Sequence, residues 1–249
     1  MIDNEPHAAD LIASQAPRLY IFVGAYGSGK SEVSVHFARK LRKENPDRKI
    51  LLADLDIVNP FYRSADARSV LEKEQIRVIA PNFANTNVDV PSVPGEMYAI
   101  FDDPDYLGVF DIGGEDLGAR ILSSMHSRFK TLSYRVYMVI NTLRPFTSDA
   151  QSIAKMAQEL SQAARLPISG LIDNTNLLSD TSKHEFIESY PIVYGASRLT
   201  GIPIVYASGL DTNLPAEWDV YTNEGVPLLR MQRTVLYNEP DSSETGSIT

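Results

Sequence analysis

Gly24-Ala25-Tyr26-Gly27-Ser28-Gly29-Lys30-Ser31 is the stretch on which the reading of this 249-residue chain turns. It fits the pattern G-x-x-x-x-G-K-[ST], a glycine-rich turn whose backbone N–H groups close around phosphate oxygens. The flanks fit as well. Leu19-Tyr20-Ile21-Phe22-Val23 is an apolar, β-rich run that reads as a buried strand. Glu32 to Leu41 reads as a helix, with apolar Val33, Phe37, Ala38 and Leu41 along it. Strand, loop and helix in that order set the partial positive charge of a helix N-terminus against the phosphates. Gly24, Gly27, Ser28 and Gly29 are expected to shape the cradle, Lys30 to reach the β- and γ-phosphates, and Ser31 to hold Mg2+.

Working outward, strands and helices alternate. Lys49 to Asp54 reads as a second strand, Arg77 to Ala80 as a third, Gly108 to Asp111 as a fourth and Tyr134 to Ile140 as a fifth. Ser148 and Gln151 have capping-box spacing and open a helix that carries Ile153, Met156, Ala157 and Leu160. Ile168 to Ile172 is the sixth strand. A helix from about Ser182 to Thr200 is interrupted by Pro191 and ends at Gly201, and Ile202 to Ala207 is the seventh strand. The expected fold is α/β, a mostly parallel twisted sheet of about seven strands with helices on both faces. A polar arm over 1–17, one domain over 18–237 and a disordered acidic tail over 238–249 complete the expectation.

Composition narrows the function. The formal charge of −9 argues against broad nucleic-acid binding, which wants a basic face. With no cysteine, disulfides, thiolate metal sites, iron–sulfur clusters and cysteine nucleophiles are excluded together. No signal peptide and no apolar run of membrane-spanning length is visible, so a cytoplasmic location is expected and membrane association is not. The histidines at 7, 36, 126 and 184 have no metal-ligand spacing.

In an open parallel sheet, ligands lie beyond the C-terminal strand ends. The second strand ends in Asp54-Leu55-Asp56, the fourth in Phe110-Asp111-Ile112-Gly113-Gly114. Asp111 after its apolar strand is placed to bind Mg2+ directly or through water. Gly113 and Gly114 let a backbone N–H approach a γ-phosphate. Spacing alone does not separate Asp54 from Asp56. Asp56, further into the loop, is the choice for orienting the attacking water and as a metal-site carboxylate, and Asp54 for a hydrogen bond to the P-loop.

Taken together, Gly24–Ser31, Leu51-Leu52-Ala53-Asp54-Leu55-Asp56 and Val109-Phe110-Asp111-Ile112-Gly113-Gly114 resemble the ParA/MinD/CobQ-type branch of the SIMIBI-class P-loop NTPases. With Ile140-Asn141-Thr142 and Gly170-Leu171-Ile172-Asp173-Asn174, the resemblance covers roughly residues 18–210. It implies a catalytic set of Lys30, Asp56 and Asp111, with Asp56 on switch I and Asp111 on switch II. Asn174 falls where the family places an adenine-reading asparagine, and Asn176 stays open for that role. ATP and Mg2+ are the implied ligands, since no [NT]-K-x-D tetrapeptide is present to read guanine. One departure stands out. Ala25 occupies the position of the signature lysine that reaches across a dimer, and Tyr26 replaces a glycine. The lysine-bridged nucleotide sandwich is therefore not implied, although a homodimer stays open, and Arg63 is a candidate for the missing charge.

The resulting expectation is an ATP-hydrolysing switch that acts on a client protein or multisubunit enzyme, in activation, assembly or maturation. The alternative is an ATP-dependent small-molecule kinase or ligase of the CobQ or dethiobiotin-synthetase kind, with the loop 82–95 shaping an acceptor site. Arg144 lies near the nucleotide or in an N-capping segment, with capping preferred. The stretch from Leu228 to Leu236 reads as a final strand or packed tail rather than a membrane-targeting helix.

Overall fold

A computed structural model of the chain describes residues 16–56, 63–80, 95–113, 118–177, 180–232 and 234, without the side chains of 119 and 120. The expected arm over 1–17 falls almost wholly outside these residues. So do the tail over 238–249, most of the loop 82–95, and Gly114.

The strands are β1 (Leu19–Val23), β2 (Lys49–Asp54), β3 (Ile76–Ile79), β4 (Tyr106–Asp111), β5 (Tyr134–Ile140), β6 (Gly170–Asp173), β7 (Ile204–Leu210) and β8 (Leu228–Met231). They form one eight-stranded sheet in the order β3-β2-β4-β1-β5-β6-β7-β8. Every strand pairing in it is parallel. β8 begins at Leu228, in the stretch read as a final strand or packed tail, and brings the sheet to eight strands.

Alternation along β1 explains the layers. Leu19, Ile21 and Val23 join one apolar cluster, while Tyr20 and Phe22 pack into another. Successive strand side chains point to opposite faces, so the two clusters lie on the two sides of the sheet. One is roofed by α1 (Lys30–Glu44) and α2 (Arg68–Lys73) through Val33, Phe37, Leu41 and Leu71. The other is roofed by α3 (Ala99–Asp102), α4 (Ala119–Ser124), α5 (His126–Phe129), α6 (Ala150–Ala164) and α7 (Lys183–Thr200). The rings of Tyr20 and Phe22 lie 4.7 and 5.2 Å from Phe37, which locks the P-loop helix to the P-loop strand.

Local chemistry sets the helix ends. α1 starts after Gly29, at φ 84°, and carries Arg42 and Lys43 in its last turn, where cations suit the dipole. α6 is capped by Asp149, whose side chain accepts from Ser152 N at 2.9 Å, one residue later than the expected Ser148 cap. α7 opens with Ser182 and Glu185 in a capping box and ends at Gly201, at φ 74°. It runs through Pro191 without ending there. Among the described residues, no helix is long and apolar enough to cross a membrane.

Candidate nucleotide site

All eight strands point their C-terminal ends at one edge, and the P-loop leaves β1 between β4 and β5. The loop is built so that only glycine fits at its key bends. Gly24 has φ 149°, and a Cβ there would sit 2.4 Å from the Val139 carbonyl. At Gly29, φ is 84°, and a Cβ would sit 2.3 Å from Asn174 Nδ2. Both positions are excluded to other residues by backbone conformation and by space.

Lys30 is buried, and its Nζ donates to the Ala25 carbonyl at 3.2 Å, so it folds back over its own loop. Ser31 is half-buried at the helix start. Tyr26, in contrast, stands 77% exposed at the tip of the loop. Asn174 clamps the loop from the far side. Its Nδ2 donates to the Ser28 carbonyl at 2.8 Å, and its Oδ1 accepts from Ser208 Oγ at 2.8 Å. The amide expected to read adenine is thus engaged at both ends, tying the P-loop to β7. Asn176 is half-buried, donates to the Asn174 carbonyl at 2.7 Å and lines a cleft with Phe186, Gly209 and Asn213. Arg144 Nε donates to the Gly27 carbonyl at 3.1 Å, bracing the loop from the end of β5.

Asp54 and Asp111 are register partners on β2 and β4, both fully buried. Their surroundings differ. Asp54 accepts from Asp56 N at 3.1 Å and Ala65 N at 2.9 Å, and pairs with Arg63 at 3.2 Å. Among the described residues these partners belong to the segment that follows β2 and not to the P-loop, which corrects the role expected for Asp54. Arg63, the candidate source of extra charge, is on Asp54. Burial nevertheless raises the Asp54 carboxyl above its ordinary range, against the pull of Arg63 and the two N–H groups.

Asp111 has neither oxygen in a hydrogen bond. Burial first, and the Asp54 charge second, push its carboxyl up to about 7. Lys30 and the hydroxyls of Ser31 and Ser64 oppose the shift, although neither hydroxyl closes a hydrogen bond on it. A buried carboxylate without partners, beside a P-loop lysine and serine, is a donor set suited to a hard divalent cation. Ser31 and Asp111 therefore fit Mg2+. Asp56 is buried as well, and its carboxylate packs against Gly113, where a Cβ would lie 1.8 Å from Asp56 Cγ. This contact brings the segment after β2 onto the segment after β4. Residues 57–62 and Gly114 lie outside the described residues, and no group of three or more His, Cys, Asp and Glu able to hold a metal occurs among the described ones.

Sequence reasoning missed Ser64, which no motif marks, and the pair formed by Glu32 and His36. His36 Nε2 lies 3.1 Å from Glu32 Oε1 and 2.9 Å from the Gln232 carbonyl, and Thr234 Oγ1 donates to Glu32. Spacing of four residues on α1 is the signal that could have found the pair, but the residues that cover it come from the other end of the chain.

No protein-family model and no curated protein sequence matches the chain. Solved structures do. The cell division protein FtsY from Thermotoga maritima superposes with a TM-score of 0.50 at 16% identity, over 79% of this chain and 63% of that one. The signal recognition particle receptor FtsY from Elizabethkingia anophelis, in complex with GDP, does so with a TM-score of 0.50 at 14% identity, over 78% and 57%. The Signal Recognition Particle 54 kDa protein from Aeropyrum pernix K1, in complex with GDP, gives 0.50 at 17%, over 81% and 43%. The chain thus spans less than two thirds of the length of each. Identities this low speak for the fold alone, which is that of the P-loop NTPases: a parallel sheet, covered by helices, with the glycine loop at its C-terminal edge.

Proposed function

We propose that this protein is a Mg-ATP-hydrolysing switch of the ParA/MinD/CobQ type that acts on a client protein or enzyme complex. The observation that carries the reading is Asp111, a fully buried carboxylate with no hydrogen-bond partner, next to Lys30 and Ser31. A group in that state is costly unless a ligand completes it. Bound between Ser31 and Asp111, Mg2+ would offset negative charge on the phosphate oxygens. Lys30 would exchange the Ala25 carbonyl for the β- and γ-phosphates. Asp56 would hold the attacking water on the γ-phosphorus, with the bond to the bridging oxygen breaking to give ADP and phosphate. Because Asp56 rests on Gly113, loss of the γ-phosphate would be felt on both switches together.

Adenine is favoured over guanine by the end of β6. Asn174-Thr175-Asn176-Leu177 carries an aliphatic residue where a guanine-reading tetrapeptide carries aspartate. With Asn174 holding the P-loop, Asn176 is the base reader. GDP in two of the structures of similar fold makes the competing nucleotide explicit. The test is phosphate release from Mg-ATP and Mg-GTP, with nucleotide affinities for the wild type and Lys30→Ala. Faster release from ATP, lost with Lys30→Ala, is expected. Phosphate release only from GTP overturns the choice of base, and an unchanged affinity in Lys30→Ala overturns the reading as a whole.

A further inference from the structure

Ser64 opens the 3-10 turn Ser64–Ala67, is fully buried, and its hydroxyl has no hydrogen-bond partner. A hydroxyl left unpaired in a protein interior calls for a reason. Its neighbourhood supplies one. Asp111, whose two oxygens are also unpaired, is the register partner of Asp54, onto which the residues on either side of Ser64 are fastened, so Ser64 is brought beside it, and Ser31 approaches the same carboxylate from the P-loop helix. Three oxygen-bearing groups from three separate segments therefore converge, and neither hydroxyl is spent on the carboxylate. Oxygen groups that gather without bonding one another leave the kind of gap that Mg2+ fills, with ligands at about 2.0–2.1 Å from the ion.

The backbone around Ser64 is held with care. Arg63 before it and Ala65 after it are both fastened to Asp54, which also accepts from Asp56 N. One carboxylate at the end of β2 thus grips the segment on either side of residues 57–62. Ser64 is carried to Asp111 by an arm anchored on the sheet.

We propose that Ser64 is a third protein group of the metal site, its hydroxyl facing Mg2+ together with Ser31 and Asp111. The inference rests on the nucleotide reading above and adds to it a direct tie between the cation and the arm around Ser64 that Asp54 holds. Cation occupancy would then be reported to the chain through Ser64 as well as through the P-loop.

The experiment measures Mn2+ binding to the full chain, by the paramagnetic signal of free Mn2+, in the presence of a non-hydrolysable ATP analogue. Ser64→Ala is expected to weaken Mn2+ binding by about tenfold or more, with affinity for the analogue in the absence of divalent cation unchanged. Ser64→Cys, in a chain with no other cysteine, is expected to shift preference from Mn2+ toward Cd2+, because thiolate is the softer ligand. Ser64→Ala that folds and keeps Mn2+ affinity within about twofold overturns the proposal. So does Ser64→Cys that binds Cd2+ no better than the wild type, a measurement that stands even where the alanine variant is unstable. Ser31→Ala separates the two levels. If it loses Mn2+ while Ser64→Ala does not, only the role of Ser64 falls. If the wild type binds no Mn2+ with nucleotide, the nucleotide reading falls with it.

Discussion

The carboxylate of Asp56 occupies the space that a side chain on Gly113 would need: a Cβ there would lie 1.8 Å from Cγ and 1.9 Å from Oδ1. The two residues come from different strand ends, yet neither can be placed without the other. Gly113 is a glycine for reasons of room.

Gly113→Ala should therefore displace Asp56 while leaving the P-loop untouched. The expected outcome is phosphate release reduced by about a hundredfold, the scale of a misplaced catalytic group, with nucleotide affinity close to that of the wild type. Single-turnover kinetics beside equilibrium nucleotide binding checks this. Equal losses in both would place the defect in the loop instead.

Asp54→Asn should loosen the arm that Asp54 holds. Asparagine keeps the shape but gives up the charge that draws Arg63 and the N–H groups of Asp56 and Ala65. Faster hydrogen exchange at the Ala65 amide than in the wild type is expected, since a neutral oxygen holds that N–H less firmly than a carboxylate does.

Asp111→Asn should separate stability from function. Burial and Asp54 hold the Asp111 carboxyl at about 7, far above its ordinary 3.8, so its ionised form is disfavoured in the fold. A raised carboxyl favours the folded state at low pH, and that contribution is lost as pH rises from about 4 to about 7. At pH 8, without nucleotide, the asparagine variant should be more stable than the wild type by about 1–2 kcal/mol, while Mg2+-dependent nucleotide binding is lost. Thermal unfolding with and without Mg2+ and nucleotide reads both.

The clasp between Glu32 and Thr234 should show as a pH dependence. Burial lifts the Glu32 carboxyl to about 7, against the Thr234 hydrogen bond and Arg39. The unfolded chain ionises it near 4.5, so the folded state loses stability as pH climbs from 4.5 to about 7. His36, which burial lowers to about 3, acts in the opposite direction, because unfolding at acid pH lets it take up a proton. Glu32→Gln removes only the first of these. Its stability relative to the wild type should rise by roughly 2–3 kcal/mol across that window, read from urea midpoints at a series of pH values.

How far the sequence could be read depended on the range of the interaction. β2 and β5 begin and end where the sequence places them, because each is built on an uninterrupted apolar core, Ile50 to Ala53 and Val136 to Ile140, followed by a polar residue. The short helices Ala99–Asp102, Ala119–Ser124 and His126–Phe129 escaped notice, since four to six residues hold too little periodicity to register. The P-loop was legible because its glycines are a local necessity. Asp54 was assigned to the P-loop because only its place on the strand was visible, whereas its partners Arg63 and Ala65 approach across a loop. Ser64 carries no signal, since its meaning lies in what β4 brings beside it.

Strand order has a consequence for synthesis. β1 pairs with β4 and β5, so Leu19 finds its partners only at Gly108 and Tyr134. A nascent chain that has emerged through β3 already holds the whole glycine loop and Asp54 but neither neighbour of the strand that supports the loop. It has no Asp111 to complete the site. On the proposed function, competence to bind nucleotide arrives late, when the middle of the chain closes over its beginning, so half-made copies do not compete with finished ones for nucleotide.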